Sequence, residues 1–264
     1  MPRADLHIPG DHAAVTAGGA GIGRTIVSHL ARAGVNVAVN DVDADALAAT
    51  RDALADAPGR VLTVPGDAGD PDAMSAFVEE TTRTFGGLDI LVNNIGVPGP
   101  TAPAEAVSHD AFMETLRVDV GGPFAATRAA IPQLRDGDEG RVVTIASRTG
   151  KKPHPDRLPY ATAKMALIGF TRTLAAELAP DGITVNAVCP GVVAGDRLDR
   201  VIAAHADEED RPADEIAAEY RAESPMTELT QPEDVADAVL FLCSGRAARM
   251  TGQDLNVTAG RVMY

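Results

Sequence analysis

Three observations predict an α/β fold built on a single doubly wound parallel sheet of about seven strands. Short apolar runs alternate with helix-length amphipathic segments along the whole of the 264 residues. The segments between successive apolar runs are long enough for the crossover helices that parallel strands require. No Gly-, Ser- or Pro-rich linker divides the chain, and no repeat or low-complexity block interrupts it.

The first strand falls at residues 13–16 and feeds a helix over 22–33, where Ile22, Ile26, Val27 and Leu30 recur at helical spacing. Val35 to Val39 form the second strand, followed by an Ala-rich helix over 43–55. Further strands are expected at 61–64, 88–92, 141–145 and 183–188, with a last short one at 254–257. The intervening helices span 71–84, 109–134, 159–178 and 232–242. Residues 193–230 break this rhythm as a polar, helical insertion before the last βα unit. Beside an α/β crevice, such an insertion is expected to be a substrate lid within one catalytic domain over 1–264.

Composition excludes several classes of function. With 38 acidic residues against 23 Lys and Arg, the formal charge is −15. That balance argues against nucleic-acid binding through phosphate contacts and against docking on anionic membranes. Cys189 and Cys243 sit in apolar runs without CxxC spacing, as small buried hydrophobes do. The N-terminal Met1 to Asp5 is polar, and no apolar run approaches the roughly 20 residues of a membrane span. A cytoplasmic protein is expected. No paired His, Cys or acidic ligands suggest a metal site.

The first strand ends in Thr16-Ala17-Gly18-Gly19-Ala20-Gly21-Ile22-Gly23, directly before a helix. Gly21 and Gly23 let the backbone approach a pyrophosphate, while the helix N-terminus offers amide donors and a positive dipole. Asp41 follows about 20 residues later, where a carboxylate accepts hydrogen bonds from ribose hydroxyls and repels a 2′-phosphate. No Arg or Lys stands at Gly18, Gly19, Asn40 or Val42 to receive such a phosphate. This Rossmann-type arrangement favours NAD over NADP; the competing role for Asp41 is capping of the next helix.

The second motif is Tyr160-Ala161-Thr162-Ala163-Lys164. On a helix, the i, i+4 spacing sets phenol and ammonium on one face, and the ammonium favours the phenolate needed for proton exchange. Ser147 ends the strand before it, where parallel sheets place ligand-binding groups.

Together these residues resemble the short-chain dehydrogenase/reductase family over nearly the full length. The matching marks are the Thr16 to Gly23 loop, Asp41, Asp67-Ala68, Asn93-Asn94-Ile95-Gly96, Ser147, Tyr160 with Lys164, and Asn186-Ala187-Val188-Cys189-Pro190-Gly191. The resemblance implies Tyr160 as general acid/base and Ser147 as the hydroxyl that orients the substrate. It implies that Lys164 favours the tyrosinate while holding the nicotinamide ribose. It places Asp67 and Ala68 at the adenine, Asn93 as a brace of the central strands and Gly96 beside the cofactor. Further cofactor contacts are expected at Thr16, Gly18, Ile22, Val42, Asn94, Pro190, Gly191 and Val193. The resemblance also implies a homotetramer. The outer faces of the two long helices over 109–134 and 159–178 carry Ala, Leu, Ile and Phe that suit an interface.

Three positions depart from the family pattern. Ala17 replaces the first loop glycine, and the adjacent Gly18 and Gly19 are expected to restore its flexibility. Gly195 replaces the Thr that holds the carboxamide. Asp119, in Val118-Asp119-Val120, replaces a catalytic Asn. It is expected to fill that Asn's space, with its backbone carbonyl still holding the water that links Lys164 to solvent. The competing arrangement pairs its carboxylate with Lys164.

Arg148, Lys151, Lys152, His154 and Arg157 cluster between Ser147 and Tyr160, where they either recognise an anionic substrate or form a solvated loop or subunit salt bridges. The expected activity is NAD-dependent interconversion of a secondary alcohol and a ketone, on a small polyol, sugar acid or hydroxy acid. The alternatives are a 3-oxoacyl thioester reductase and a catalytically silent NAD-binding protein.

Overall fold

A computed structural model describes residues 7–137 and 139–264; the polar Met1 to Asp5 segment lies outside them. β1 (His12–Val15) leads into α1 (Gly21–Arg32), β2 (Asn36–Asp41) into α2 (Ala44–Asp52), and β3 (Val61–Pro65) into α3 (Pro71–Phe85). β4 (Ile90–Asn93) is followed by α4 (His109–Leu116), a π-helical turn at Arg117–Gly121, and α5 (Gly122–Asp136). The order continues with β5 (Arg141–Ile145), α6 (Leu158–Leu178), β6 (Thr184–Pro190), α7 (Asp196–Glu209) and α8 (Ala213–Ala222). It closes with α9 (Pro232–Cys243) and β7 (Asp254–Val257).

All seven strands pair in parallel, in the order β3-β2-β1-β4-β5-β6-β7. The chain therefore winds outward from β1 to β3, then returns to β1's other side at β4. The strand order reverses between β1 and β4, and the crevice beyond their carboxyl ends is where such sheets bind ligands.

Every residue of β5 and β6 is buried, as expected for central strands covered on both faces. On one face Ile26, Val27 and Leu30 of α1 pack with Val235, Val239 and Leu242 of α9. On the other, Met74, Phe77 and Val78 of α3 pack with Ala126, Ala130 and Leu134 of α5 and Leu174 of α6. Each such Leu, Ile, Val, Met or Phe contributes roughly 1.5–3 kcal/mol by leaving water. Cys243 belongs to the first of these layers and Cys189 to a smaller cluster with Leu167 and Ile168, and burial pushes the Cys189 and Cys243 thiols up to about 11 and about 12, so both behave as inert small hydrophobes. Among the described residues no helix is long and apolar enough to cross a membrane.

The structure differs from the expected helix over 109–134, which is broken into α4, the π turn and α5. A π turn accommodates one extra residue, and here it rotates Asp119 into the interior, where it is fully buried. Gly121, Gly122 and Pro123 follow at once, and Pro123 is tolerated because it sits in the first turn of α5. The 193–230 insertion forms α7 and α8, closed on a small apolar cluster of Leu198, Ile202, Ala206 and Ile216. A parallel bridge between Val193 and Thr230 ties its two ends together.

Candidate active site

The loop after β1 is held from three sides. Thr16 is buried, and its Oγ1 accepts the amides of Asn94 at 3.0 Å and Ile95 at 3.2 Å, joining the ends of β1 and β4. Asn94 Nδ2 donates back to the Ala17 carbonyl at 2.8 Å. Asp41 Oδ2 accepts the Gly19 amide at 2.9 Å and Oδ1 the Asp43 amide at 3.1 Å, while Asp43 itself caps α2. Asp41 is therefore not the helix cap. Its two bonds leave other lone pairs of an anionic carboxylate free at the end of β2, beside the exposed Val42.

The start of α1 suits a diphosphate. No side chain caps it and no acid stands in its first turn, so its amides and dipole stay available. A Cβ on Gly21 (φ +52°) would meet nothing within 4 Å, whereas one on Gly23 would strike the Ala17 carbonyl at 2.3 Å. Ala17 itself takes the left-handed conformation (φ +51°), and neither Gly18 nor Gly19 has positive φ. The expectation that those glycines restore the lost flexibility is thus corrected. They are needed for space, since a Cβ on Gly18 would lie 2.4 Å from Val39 and one on Gly19 would lie 2.9 Å from Asp41. Ala17 carries the strain, on the order of 1–2 kcal/mol.

Ser147 follows β5 and opens a 3₁₀ turn, its Oγ accepting the Thr149 amide at 3.1 Å, which leaves its own proton free to donate. That turn abuts α6 so tightly that a Cβ on Gly150 would come within 2.7 Å of the Lys164 carbonyl carbon. Tyr160, on the first turn of α6, is half-buried between two cations. The Arg157 guanidinium lies 4.8 Å and the Lys164 ammonium 5.5 Å from its ring centroid. Lys164 Nζ is buried and donates to the Ile145 carbonyl at 3.3 Å.

Asp119 meets this group from the π turn. Its Oδ1 accepts the Val97 amide at 2.7 Å, and Oδ2 lies 3.5 Å from Lys164 Nζ. Gly96 floors the pair, where a Cβ would stand 2.8 Å from Lys164 Nζ. The expectation that Asp119 merely fills the space of Asn is therefore corrected: its carboxylate faces the ammonium. Burial pushes the Asp119 carboxyl above its usual range, partly offset by Lys164 and by the Val97 amide.

Other expected residues fall out differently. Lys151 is taken up by Asp254, forming an ion pair with its carboxylate and donating to its carbonyl and to Asn256 Oδ1, each at 2.8 Å. It is thereby withdrawn from substrate recognition. His154 Nδ1 meets the neighbouring Pro155 carbonyl at 3.0 Å, and Lys152 is exposed. Arg148 remains beside Ser147. Asn93 Nδ2 donates to Thr127 Oγ1 at 2.9 Å, bracing β4 against α5 rather than against another strand. Asp67 is drawn towards Arg117 (3.6 Å), and Ala68 is buried beside it. Pro190 ends β6, and the Gly191 amide donates to the Val257 carbonyl at 2.8 Å, fixing the segment that leads to Val193.

Comparison with known proteins bears on this geometry. A family model described as enoyl-(acyl carrier protein) reductase matches residues 16–261. An uncharacterized oxidoreductase of Thermotoga maritima is 33% identical over 97% of this chain and 98% of its own length. The chain belongs to the short-chain dehydrogenase/reductase family. Within it, 3-oxoacyl-(acyl-carrier-protein) reductase FabG of Staphylococcus aureus is 31% identical over 95% of this chain and 98% of that protein. The crystal structure of an actinorhodin polyketide ketoreductase variant with NADPH superposes with a TM-score of 0.91 at 31% identity, covering 97% and 98% of the two chains.

For a short-chain dehydrogenase/reductase, Asp119 and Gly195 remain the unusual positions. Gly195 (φ +129°) precedes α7 and carries no hydroxyl. Arg197, two residues on, is exposed in the first turn of α7.

Proposed function

We propose that this short-chain dehydrogenase/reductase interconverts a ketone and a secondary alcohol, prefers NAD to NADP, and acts on a ketone of the 3-oxoacyl kind. The observation that carries the reading is Tyr160 held against the Lys164 ammonium, with the free Ser147 hydroxyl on the adjoining turn. A polyol or sugar-acid substrate has less support, since FabG and the actinorhodin protein are by name ketone reductases.

The residues present fit a dinucleotide. The Gly18 to Gly23 turn and the start of α1 would hold its diphosphate, and Asp41 with Val42 its adenosine ribose. Asp67 and Ala68 would border the adenine, and Asn94, Gly96, Lys164, Pro190, Gly191 and Val193 would line the nicotinamide side. When bound, that group supplies or accepts the hydride at its C4. In the reducing direction Tyr160 gives its hydroxyl proton to the carbonyl oxygen while Ser147 donates a hydrogen bond to the same oxygen. Lys164 stabilises the phenolate left behind. In oxidation the phenolate takes the alcohol proton. Residues 193–230 close over the substrate as a lid, and the chain acts as a cytoplasmic homotetramer.

The NAD preference rests on Asp41, whose carboxylate accepts the Gly19 amide and, among the described residues, has no ion-pair partner to receive a 2′-phosphate, although the structural relative carries NADPH. NADH should exceed NADPH in kcat/KM by about tenfold, or ~1.4 kcal/mol. Equal efficiency would defeat the preference. Tyr160→Phe should nearly abolish turnover while cofactor binding measured by nucleotide fluorescence persists. Substantial activity in that variant would remove the proton path.

A further inference from the structure

Lysine is usually a surface residue. The Lys151 side chain is only 9% exposed, and it reaches Asp254, 103 residues away. Its ammonium has three N–H donors, and three acceptors meet it. They are the Asp254 carbonyl and Asn256 Oδ1, at 2.8 Å each, and the Asp254 carboxylate. That carboxylate is 13% exposed and takes a second cation, Arg172 of α6, at 2.7 Å. Lys151 thus crosses from the turn after β5 to the edge strand β7, over the intervening β6. Register explains the path. Asp254 and Asn256 pair with Ala187 and Cys189 of β6, and paired residues share a face of the sheet. Ala187 and Cys189 are small and pack with Ala146, Leu167 and Ile168, which leaves room for the lysine stem beside α6.

The other end of this tether is the turn that opens on Ser147. Lys151 closes that turn, its amide donating to the Arg148 carbonyl at 2.9 Å. Within it the Gly150 amide donates to the Ser147 carbonyl and the Thr149 amide to Ser147 Oγ, each at 3.1 Å. Against α6 the turn is located by close packing at Gly150, where a Cβ would lie 2.7 Å from the Lys164 carbonyl carbon. Towards β7 it is located by Lys151. A buried ion pair adds little net stability, because desolvation offsets much of the attraction. A fully satisfied ammonium does supply a fixed position, since each of its three bonds is directional.

We propose that Lys151 is a positioning residue for the reaction. Pinned to Asp254 and Asn256, it holds the 147–151 turn in one place and thereby aims the Ser147 hydroxyl at the substrate oxygen beside Tyr160. The proposal rests on the role of Ser147 as hydrogen-bond donor given above. Through Lys151, β7 sets the angle of a hydroxyl two strands away, without itself touching the substrate. A donor displaced by about 1 Å loses much of its effect on the transition state, so this tether is read in turnover more than in binding.

A double-mutant cycle, with hydrogen exchange beside it, tests this. Lys151→Met removes the ammonium and keeps most of the stem. Asn256→Ala removes one acceptor and spares the ion pair, so it carries the test if Lys151→Met does not fold. Each is made alone and with Ser147→Ala, and reduction of ethyl 3-oxobutanoate by NADH is followed. With Ser147 present, Lys151→Met should lower kcat about tenfold and Asn256→Ala about threefold, with ketone KM and NADH affinity within about twofold. With Ser147→Ala, the same changes should cost less than about twofold further. Lys151→Arg should restore part of kcat. Independently of turnover, the amides of residues 149–151 should exchange about tenfold faster in either tether variant, while those of β5 keep their rates. Unchanged exchange in the turn, or equal kcat losses in both backgrounds, overturns the proposal. Faster exchange there with Ser147→Ala at the wild-type rate, or with no ketone reduced by the wild type, keeps the tether and removes the reading of Ser147 on which its catalytic part rests.

Discussion

Asp119 shows how one atom's change can alter the field at a buried ammonium. An amide at this position would carry no charge, whereas the carboxylate lies 3.5 Å from Lys164 and draws its field away from Tyr160. Asp119→Asn should therefore move the rising limb of kcat/KM for alcohol oxidation to lower pH, and unchanged profiles would return Asp119 to a spacer. Stability has its own sign. Burial raises the Asp119 carboxyl in the folded state, so the folded chain holds that proton more tightly than the unfolded chain does. The resulting stabilisation is complete below the unfolded pKa and is lost as pH rises through the folded one. In thermal melts the wild type should gain on Asp119→Asn as pH falls from about 7 towards about 4, the carboxylate range. A constant difference would show that the carboxyl is not raised. The proposed roles of Ser147, Tyr160, Lys164 and Asp41 could be read from the sequence because they rest on spacing and strand-end position. The contact between Asp119 and Lys164 was not, since it depends on a π turn that no local pattern announces.

At the scale of elements, the strands and most helices follow directly from hydrophobic period, and β7 falls where the sequence places it. The exception is the 109–134 segment, whose apolar spacing reads as one helix because a π turn shifts the period only slightly. Its effect is local but decisive, turning Asp119 inward beneath Gly96. The α7–α8 insertion is the opposite case, foreseen as a unit but held by little. Its own apolar cluster is small, its two ends are tied to each other by the Val193–Thr230 bridge, and its links to the body include the Arg261–Glu223 pair. Native-state hydrogen exchange should find amides of α7 and α8 opening on the order of 100-fold more readily than those of β5 and β6. Uniform protection across both would argue against a mobile lid.

At the scale of the whole molecule, the monomer leaves Met113, Phe124, Leu158 and Met165 exposed on α4, α5 and α6. Large apolar side chains gathered on outer helices mark association surfaces more often than free ones. Light scattering at micromolar concentration should report a homotetramer. Phe124→Glu combined with Met165→Glu should shift it to a smaller species with an unchanged circular dichroism spectrum. A wild-type monomer would refute the assembly. The net charge of −15 keeps such a particle dispersed, so association, if found, reflects these faces rather than poor solubility.

The sequence by itself determined the sheet class, its winding and the family. Periodicity is written locally, and a strand-end position follows from it. The tertiary structure alone decided three things. It separated Lys151 from the substrate candidates by giving it Asp254, a partner 103 residues away. It drew Asp67 towards Arg117, at 3.6 Å. And it set Asp119 against Lys164 across a buried, low-dielectric gap. Each outcome depends on which charge finds which partner across long sequence separation. Electrostatic pairing is fixed by three-dimensional neighbours and desolvation, neither of which a linear pattern contains.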